Sequence, residues 1–381
     1  MTSMHTLAIP TDLKPALALR GLGKRFGSHD AVKDIDLDLP AGAFLVLLGP
    51  SGCGKSTLLR MLAGLESPTA GSIFIEGREV ANGARGNVVE AGQRGLGMVF
   101  QSYALWPHMT VEENVEWPLK ILHMPAPERA RRVLEVLELL AIAPLAKRYP
   151  NEISGGQQQR VAIARTLSPK PSLLLFDEPL SNLDAKLRVE MRSELLRVHR
   201  ATNATSVYVT HDQIEAMTMA THVAVMKDGH VEQFAAPATL LASPASAFVA
   251  TFVGTPAANV VAVQARDGML LLGDHPLAVA GSLDEKLSLL YLPTMLELQG
   301  PGAPAADRVV GGTLIEVAPM AGRYVCAVSI GTQRVSVVTD ELPGARIGEA
   351  IGVVFPPHPQ GVFDSTGRLM AHHPSLQEMR S

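Results

Sequence analysis

Gly49-Pro50-Ser51-Gly52-Cys53-Gly54-Lys55-Ser56-Thr57 follows directly on the apolar run Ala43-Phe44-Leu45-Val46-Leu47-Leu48. The order reads as a buried strand, a glycine-rich turn and a helix over residues 56–65. Gly49 and Gly54 permit the tight turns. The backbone N–H groups from Gly52 to Ser56 then face inward, backed by the positive end of the helix, and form a cradle for phosphate oxygens. In such a loop Lys55 reaches the β- and γ-phosphates and the Ser56 hydroxyl can ligate Mg²⁺. Cys53 reads as a small filler at a variable loop position. The loop predicts nucleotide binding and leaves open a kinase, a GTPase, a motor or a transport ATPase.

Working outward, 381 residues leave room for more than one domain. With 33 Lys and Arg against 37 Asp and Glu, the charge is close to balanced. That argues against a polyelectrolyte surface for nucleic acid. Two cysteines, Cys53 and Cys326, fit a reducing compartment better than a disulfide framework. Residues 1–20 lack a continuous apolar stretch and contain Pro10 and Pro15, so no signal peptide is expected. No window reads as a membrane-spanning helix, and any work at a membrane is expected to go through a partner.

The chain changes character near Thr255-Pro256. Before it, strands are expected at 44–48, 97–100, 173–176, 206–210 and 223–226. Helices are expected at 56–65, 127–140, 157–166, 185–200 and 213–219. In the fourth of these, Leu187, Met191, Leu195 and Val198 recur at helical spacing. Alternation of this kind around a phosphate loop means a mostly parallel α/β sheet. Residues 72–76 ending at Gly77, and the Asp228-Gly229 turn, predict added antiparallel hairpins. After residue 255 short β-rich runs take over, at 260–263, 269–272, 287–292, 313–317, 323–330, 334–338 and 350–355. These predict a small β-barrel domain of OB type. Residues 298–307 read as a surface linker.

Ser172-Leu173-Leu174-Leu175-Phe176-Asp177-Glu178-Pro179 is an apolar strand ending in two acids. A strand tip would hold Asp177 where it can support Mg²⁺. Glu178 beside it could orient or deprotonate a water that attacks a γ-phosphate. Further back, Ser154 reads as a helix cap, and Gly155 and Gly156 leave backbone N–H groups unobstructed before Gln157. That makes a second anion-binding helix start.

Ile153-Ser154-Gly155-Gly156-Gln157 resembles the signature motif of ABC-type ATPases. The other motifs fall in the order that family uses. Gln101 resembles the Q-loop glutamine, Ser181-Asn182-Leu183-Asp184 the D-loop, and Thr210-His211-Asp212 the switch-histidine loop. Phe26 matches the aromatic that stacks on adenine. The resemblance covers residues 16–250. It implies ATP and Mg²⁺ as ligands, with Glu178, His211 and Gln101 catalytic and Ser56, Gln101 and Asp177 at the metal. It implies that Phe26, residues 49–57, Ser154 to Gln157 and Asp184 contact nucleotide. It also implies a homodimer in which each ATP lies between one subunit's phosphate loop and the other's Ser154-Gly155-Gly156.

Residues 102–111, Asp184 to Arg188 and the β-rich extension resemble ATPases of bacterial solute importers. The resemblance implies an OB-like regulatory and dimerising domain over 255–381, membrane permease subunits and an external solute-binding protein as partners, and a place at the cytoplasmic face of the inner membrane. Phe252 to Pro256 and Phe363 to Gly367 look like the sugar and glycerol-3-phosphate group. Residues 81–90, with Leu105-Trp106-Pro107-His108, look more like ferric-iron and related importers, among which polyamine importers are a further option. Ile153 stands where the family usually has Leu, residues 289–293 lack the usual Arg-Pro-Glu, and Thr221-His222 replaces a common Asp-Arg pair. A soluble ABC ATPase acting on ribosomes or DNA fits less well. Only one phosphate loop is present, and no long heptad run separates Gly54 from Ile153.

Overall fold

The computed structural model describes residues 14–279, 286–300 and 308–370. It divides into two compact units, with the division between Pro237 and Ala238.

The first unit carries two sheets. One holds β3 (Phe44–Leu48), β7 (Leu96–Val99), β8 (Leu173–Asp177), β9 (Thr205–Thr210), β10 (His222–Lys227) and β11 (His230–Ala235), in the order β11-β10-β3-β9-β8-β7. All neighbours are parallel except β11, which returns antiparallel from β10 through Asp228-Gly229. All five residues of β3 are buried, as a strand covered on both faces requires. The parallel strands therefore end at one edge, where Leu48 pairs with Thr210 and Asp177 with Val209.

The other sheet is antiparallel: β1 (Leu17–Phe26), β2 (His29–Leu39), β4 (Ala70–Ile75), β5 (Arg78–Asn82) and β6 (Asn87–Val88), in the order β2-β1-β4-β5-β6. Helix α1 (Lys55–Ala63) lies in the core shared by the two sheets. Leu58, Leu59, Met61 and Leu62 are all but inaccessible there, each contributing about 1.5–3 kcal/mol. The helices α2 (Val111–Ile121), α3 (Ala126–Leu139) and α4 (Gly155–Leu167) pack together, and α5 (Ala185–Thr202) and α6 (Gln213–Met219) follow β8 and β9.

In the second unit, α7 (Pro237–Ala242) and α8 (Ala247–Phe252) precede the strands. Ala250 of α8 packs with Leu290 and Phe363, so these helices fold with the β-rich region and not with the parallel sheet. One sheet runs β14-β13-β12-β15-β21, from β12 (Asn259–Arg266), β13 (Met269–Leu272), β14 (His275–Val279), β15 (Leu287–Tyr291) and β21 (Gly361–Phe363). The other runs β16-β20-β17-β18-β19, from β16 (Glu297–Gln299), β17 (Val309–Met320), β18 (Arg323–Ile330), β19 (Gln333–Thr339) and β20 (Ala350–Val354). A single apolar core joins them. Side-chain amides close the seam: Asn259 exchanges hydrogen bonds with the Ser336 backbone, and Gln333 with that of Ala262. The result is the expected β-barrel-like domain. The linker expected over 298–307 is corrected at its start, where Leu298 and Gln299 pair with β20; residues 301–307 lie outside the described residues.

Candidate functional site

The loops after β3, β7, β8 and β9, at the common edge of the parallel strands, each carry expected residues. The loop after β3 is the phosphate loop. Gly54 sits at φ +105° as the N-cap of α1 and offers no side-chain cap, so the first-turn N–H groups stay open to an anion. A Cβ on Gly54 would stand 2.4 Å from the Ala31 carbonyl oxygen, and one on Gly49 2.4 Å from that of Met226. Both positions therefore exclude side chains. The Gly229 N–H donates to the Cys53 carbonyl, so the β10–β11 turn braces the loop from outside. Pro50 accepts from the Cys53 N–H, while Ser51 and Gly52 form the exposed crest. Lys55 is buried, and its ammonium donates to the Gly49 and Pro50 carbonyls at 2.7 and 2.9 Å. Ser56 and Thr57 follow in the first turn of α1.

Ser56 Oγ lies 3.4 Å from Asp177 Oδ1, at the tip of β8. Burial pushes the Asp177 carboxyl above its ordinary value, and the charge of Arg60 pulls it back. A hydroxyl and a carboxylate side by side are the hard oxygen donors Mg²⁺ takes, with water and phosphate completing the shell. Glu178, next in sequence, holds φ at +44°, a left-handed conformation that costs a non-glycine residue about 1–3 kcal/mol. Its N–H donates to the Val209 carbonyl, which fixes it to the neighbouring strand. His211 Nδ1, after β9, is 3.3 Å from Glu178 Oε2. Gln101, after β7, donates through Nε2 to Ser181 Oγ at 3.1 Å, and its carbonyl accepts from Asn182 Nδ2. Lys55, Ser56, Asp177, Glu178, His211 and Gln101 thus form a continuous edge.

Other expected residues do separate work within the protomer. Ser154 caps α4 and Gln157 closes a reciprocal capping box with it. Asp184 caps α5 by accepting from the Leu187 N–H. Gly156 sits close against Leu187, whereas a Cβ on Gly155 would meet nothing within 4 Å. Phe26 ends β1 half-exposed, with the Lys24 ammonium 4.7 Å from its ring centre.

Three supporting residues escaped the sequence reading. Glu215 on α6 accepts from Tyr208 Oη and Thr210 Oγ1, beneath the His211 loop. Asn114 on α2 is fully buried and bonds to the Trp106 N–H and to the Trp106, Met109 and Thr110 carbonyls. Arg165 on α4 donates to the Ala104 and Tyr103 carbonyls. Each looks like an ordinary polar helix residue in sequence, and only the tertiary fold supplies its partners.

The chain is similar to known proteins. A family profile described as ABC transporter fits residues 32–181. The sn-glycerol-3-phosphate import ATP-binding protein UgpC 1 of Rhizobium johnstonii is 50% identical over 264 residues, 69% of this chain and 70% of that relative. The trehalose/maltose import ATP-binding protein MalK of Thermococcus litoralis is 49% identical over 255 residues, 67% of this chain and 68% of that one. The chain belongs to the ABC transporter family. It is an ATP-binding protein and ATPase, related to import ATP-binding subunits. Among solved structures, the ATP-binding cassette MJ0796, described as dimeric and post-hydrolysis with ADP and Pi, is 33% identical with a TM-score of 0.50, over 58% of this chain and 98% of its own. The cbiO1 protein of Clostridium perfringens, described as part of the ABC transporter complex cbiONQ, is 27% identical with a TM-score of 0.55, over 60% and 92%.

Proposed function

We propose that this chain is the ATP-hydrolysing motor of a solute importer, most similar in kind to those for sugars and sn-glycerol 3-phosphate. The observation that carries this reading is the strand edge bearing Lys55, Asp177, Glu178 and His211 in a chain about half identical to import ATP-binding proteins of that group. The motor works as a homodimer on separate permease subunits, at the cytoplasmic face of the inner membrane, with an external solute-binding protein delivering cargo. Among the described residues no helix is long and apolar enough to cross a membrane. Residues 255–381 act as a dimerising and regulatory domain.

In the mechanism, residues 49–57 hold the phosphates and Phe26 stacks on adenine. Mg²⁺ would be held by Ser56 and Asp177 with Gln101, and would neutralise charge on the β- and γ-phosphates. Glu178 takes the proton of the attacking water, and His211 contacts the γ-phosphate. The open space over Gly155 supports a composite site. Nothing within the protomer needs a glycine there, so the second subunit's ATP can approach the Ser154-Gly155-Gly156 backbone and Gln157, with Asp184 nearby. Closure of the dimer on ATP turns the permease outward, and hydrolysis resets it.

Glu178→Gln tests this directly. ATP affinity should stay close to that of the unmutated chain, turnover should fall by about 10²–10⁴-fold, and size-exclusion chromatography should show a dimer that persists with ATP. Ordinary turnover in this variant removes Glu178 from its role. Purification without any membrane subunit, from cells in which the transporter is expressed, counts against import.

A further inference from the structure

The loop that carries Gln101 is held from three elements. Ser181 and Asn182 hold Gln101 itself. Asn114 of α2 fastens Trp106. Between these, Tyr103 and Ala104 are consecutive non-glycine residues at positive φ, +61° and +49°. Backbone of this kind persists only where its surroundings over-determine it. What determines it is Arg165 of α4, whose guanidinium donates to the Ala104 carbonyl at 2.6 Å and the Tyr103 carbonyl at 2.9 Å. The same group lies 4.7 Å from the centre of the Trp106 ring. Arg165 is buried, so these bonds are charge-assisted and little screened.

We propose that Arg165 is a positioning residue that locks the Gln101 loop to α4, so that the placing of Gln101 and of Ser154-Gly155-Gly156 is set together. This rests on the ATPase reading above. A fork of donors in one plane can grip two successive carbonyls at once, and a lysine ammonium on its flexible stem cannot do so rigidly. Helix α4 is a continuous rod from Gly155 to Leu167, with Arg165 in its last turn and Ser154 as its cap. A shift of the Gln101 loop on nucleotide binding then moves the rod and its capped end, and is not absorbed in the loop. Asn114 holds the far side of the loop to α2, and Arg165 ties the loop directly to the signature helix.

The test uses the full chain, with Arg165→Lys compared with the unmutated protein, and Trp117→Phe in both so that emission reports Trp106. ATP affinity should stay within about twofold while kcat falls about tenfold to a hundredfold, a loss made at the transition state rather than in binding. The change in Trp106 emission on adding Mg-ATP should be at least halved. Unchanged kcat with a full emission response overturns the proposal. So does a parallel fall of ATP affinity, kcat and thermal midpoint, which marks a merely structural residue. Hydrogen exchange on Glu178→Gln, with Arg165 intact, gives a second measurement that does not depend on the variant folding. Amides of residues 101–106 and 154–157 should gain protection at the same ATP concentration, and separate midpoints overturn the lock. If the unmutated chain neither binds nor hydrolyses ATP, the broader reading fails with it, and that result is visible before any Arg165 variant is made.

Discussion

Gly54 shows how much of the site is decided by single residues. It stands at φ +105° and faces the Ala31 carbonyl oxygen of β2 at a distance that leaves no room for a methyl group. Gly54→Ala should therefore destabilise the fold by about 1–3 kcal/mol, through left-handed strain and displacement of β2. The loop that moves is the phosphate cradle, so ATP affinity should fall about tenfold or more, a loss of about 1.4 kcal/mol. Urea denaturation and nucleotide titration measure the two effects, and an alanine variant with unmutated stability and affinity would refute the account. At this scale the sequence was legible wherever chemistry is local. A phosphate loop needs its glycines and lysine within nine residues, and they lie there in order. Arg165 was illegible for the opposite reason. Its carbonyl partners lie some sixty positions away, and an arginine late in an amphipathic helix reads as solvated.

At the scale of elements, α6 shows how the fold holds a catalytic loop. Glu215 in its first turn is almost wholly buried and accepts from Tyr208 and Thr210, which belong to β9 just before His211. Burial raises its carboxyl above the ordinary glutamate value, against the lowering effect of the two hydroxyl donors; Asp212 adds to the rise and Arg188 opposes it. A carboxyl raised in the folded state binds its proton more tightly there than in the unfolded chain. Its contribution to stability is thus present at low pH and is lost as pH rises from the ordinary value through the raised one. Glu215→Gln removes that titration. The thermal midpoint of the unmutated protein should fall relative to that of the variant across this interval and then run parallel to it. A constant difference at every pH would contradict the assignment. Legibility here followed pattern strength. The inner parallel strands announce themselves as apolar runs, and β3 was read to the residue. Helix α2 was missed because Pro118 interrupts it, and its start depends on a capping box between Thr110 and Glu113. Strands β1 and β2 pair through several register shifts, which blurs the alternation a strand would show.

For the whole molecule, the sequence break at Thr255 and the division at Pro237 differ because α7 and α8, which precede that break, belong to the β-rich unit. Only non-local contacts could assign them. The same limit applies to assembly, where the decisive feature is again Gly155. Its Cβ position is empty in the protomer, so Gly155→Asp should leave each subunit folded while placing a carboxylate where a second subunit's γ-phosphate would come. Lys55→Ala damages the opposite half of the site. Either variant alone should be nearly inactive, since every composite site in its homodimer lacks one half. Mixed and allowed to exchange, they form heterodimers in which one site loses both halves and the other keeps both. If subunits pair at random and each site works independently, ATPase activity should return to about a quarter of the unmutated rate, as two-fold symmetry requires. A mixture no more active than its parts would mean either that the site is completed within one chain or that both sites must fire together. The two are separated by the Lys55→Ala/Gly155→Asp double variant mixed with unmutated chain. Its heterodimers carry two half-damaged sites under the composite arrangement, so activity should fall below simple dilution; a site completed within one chain would leave dilution alone.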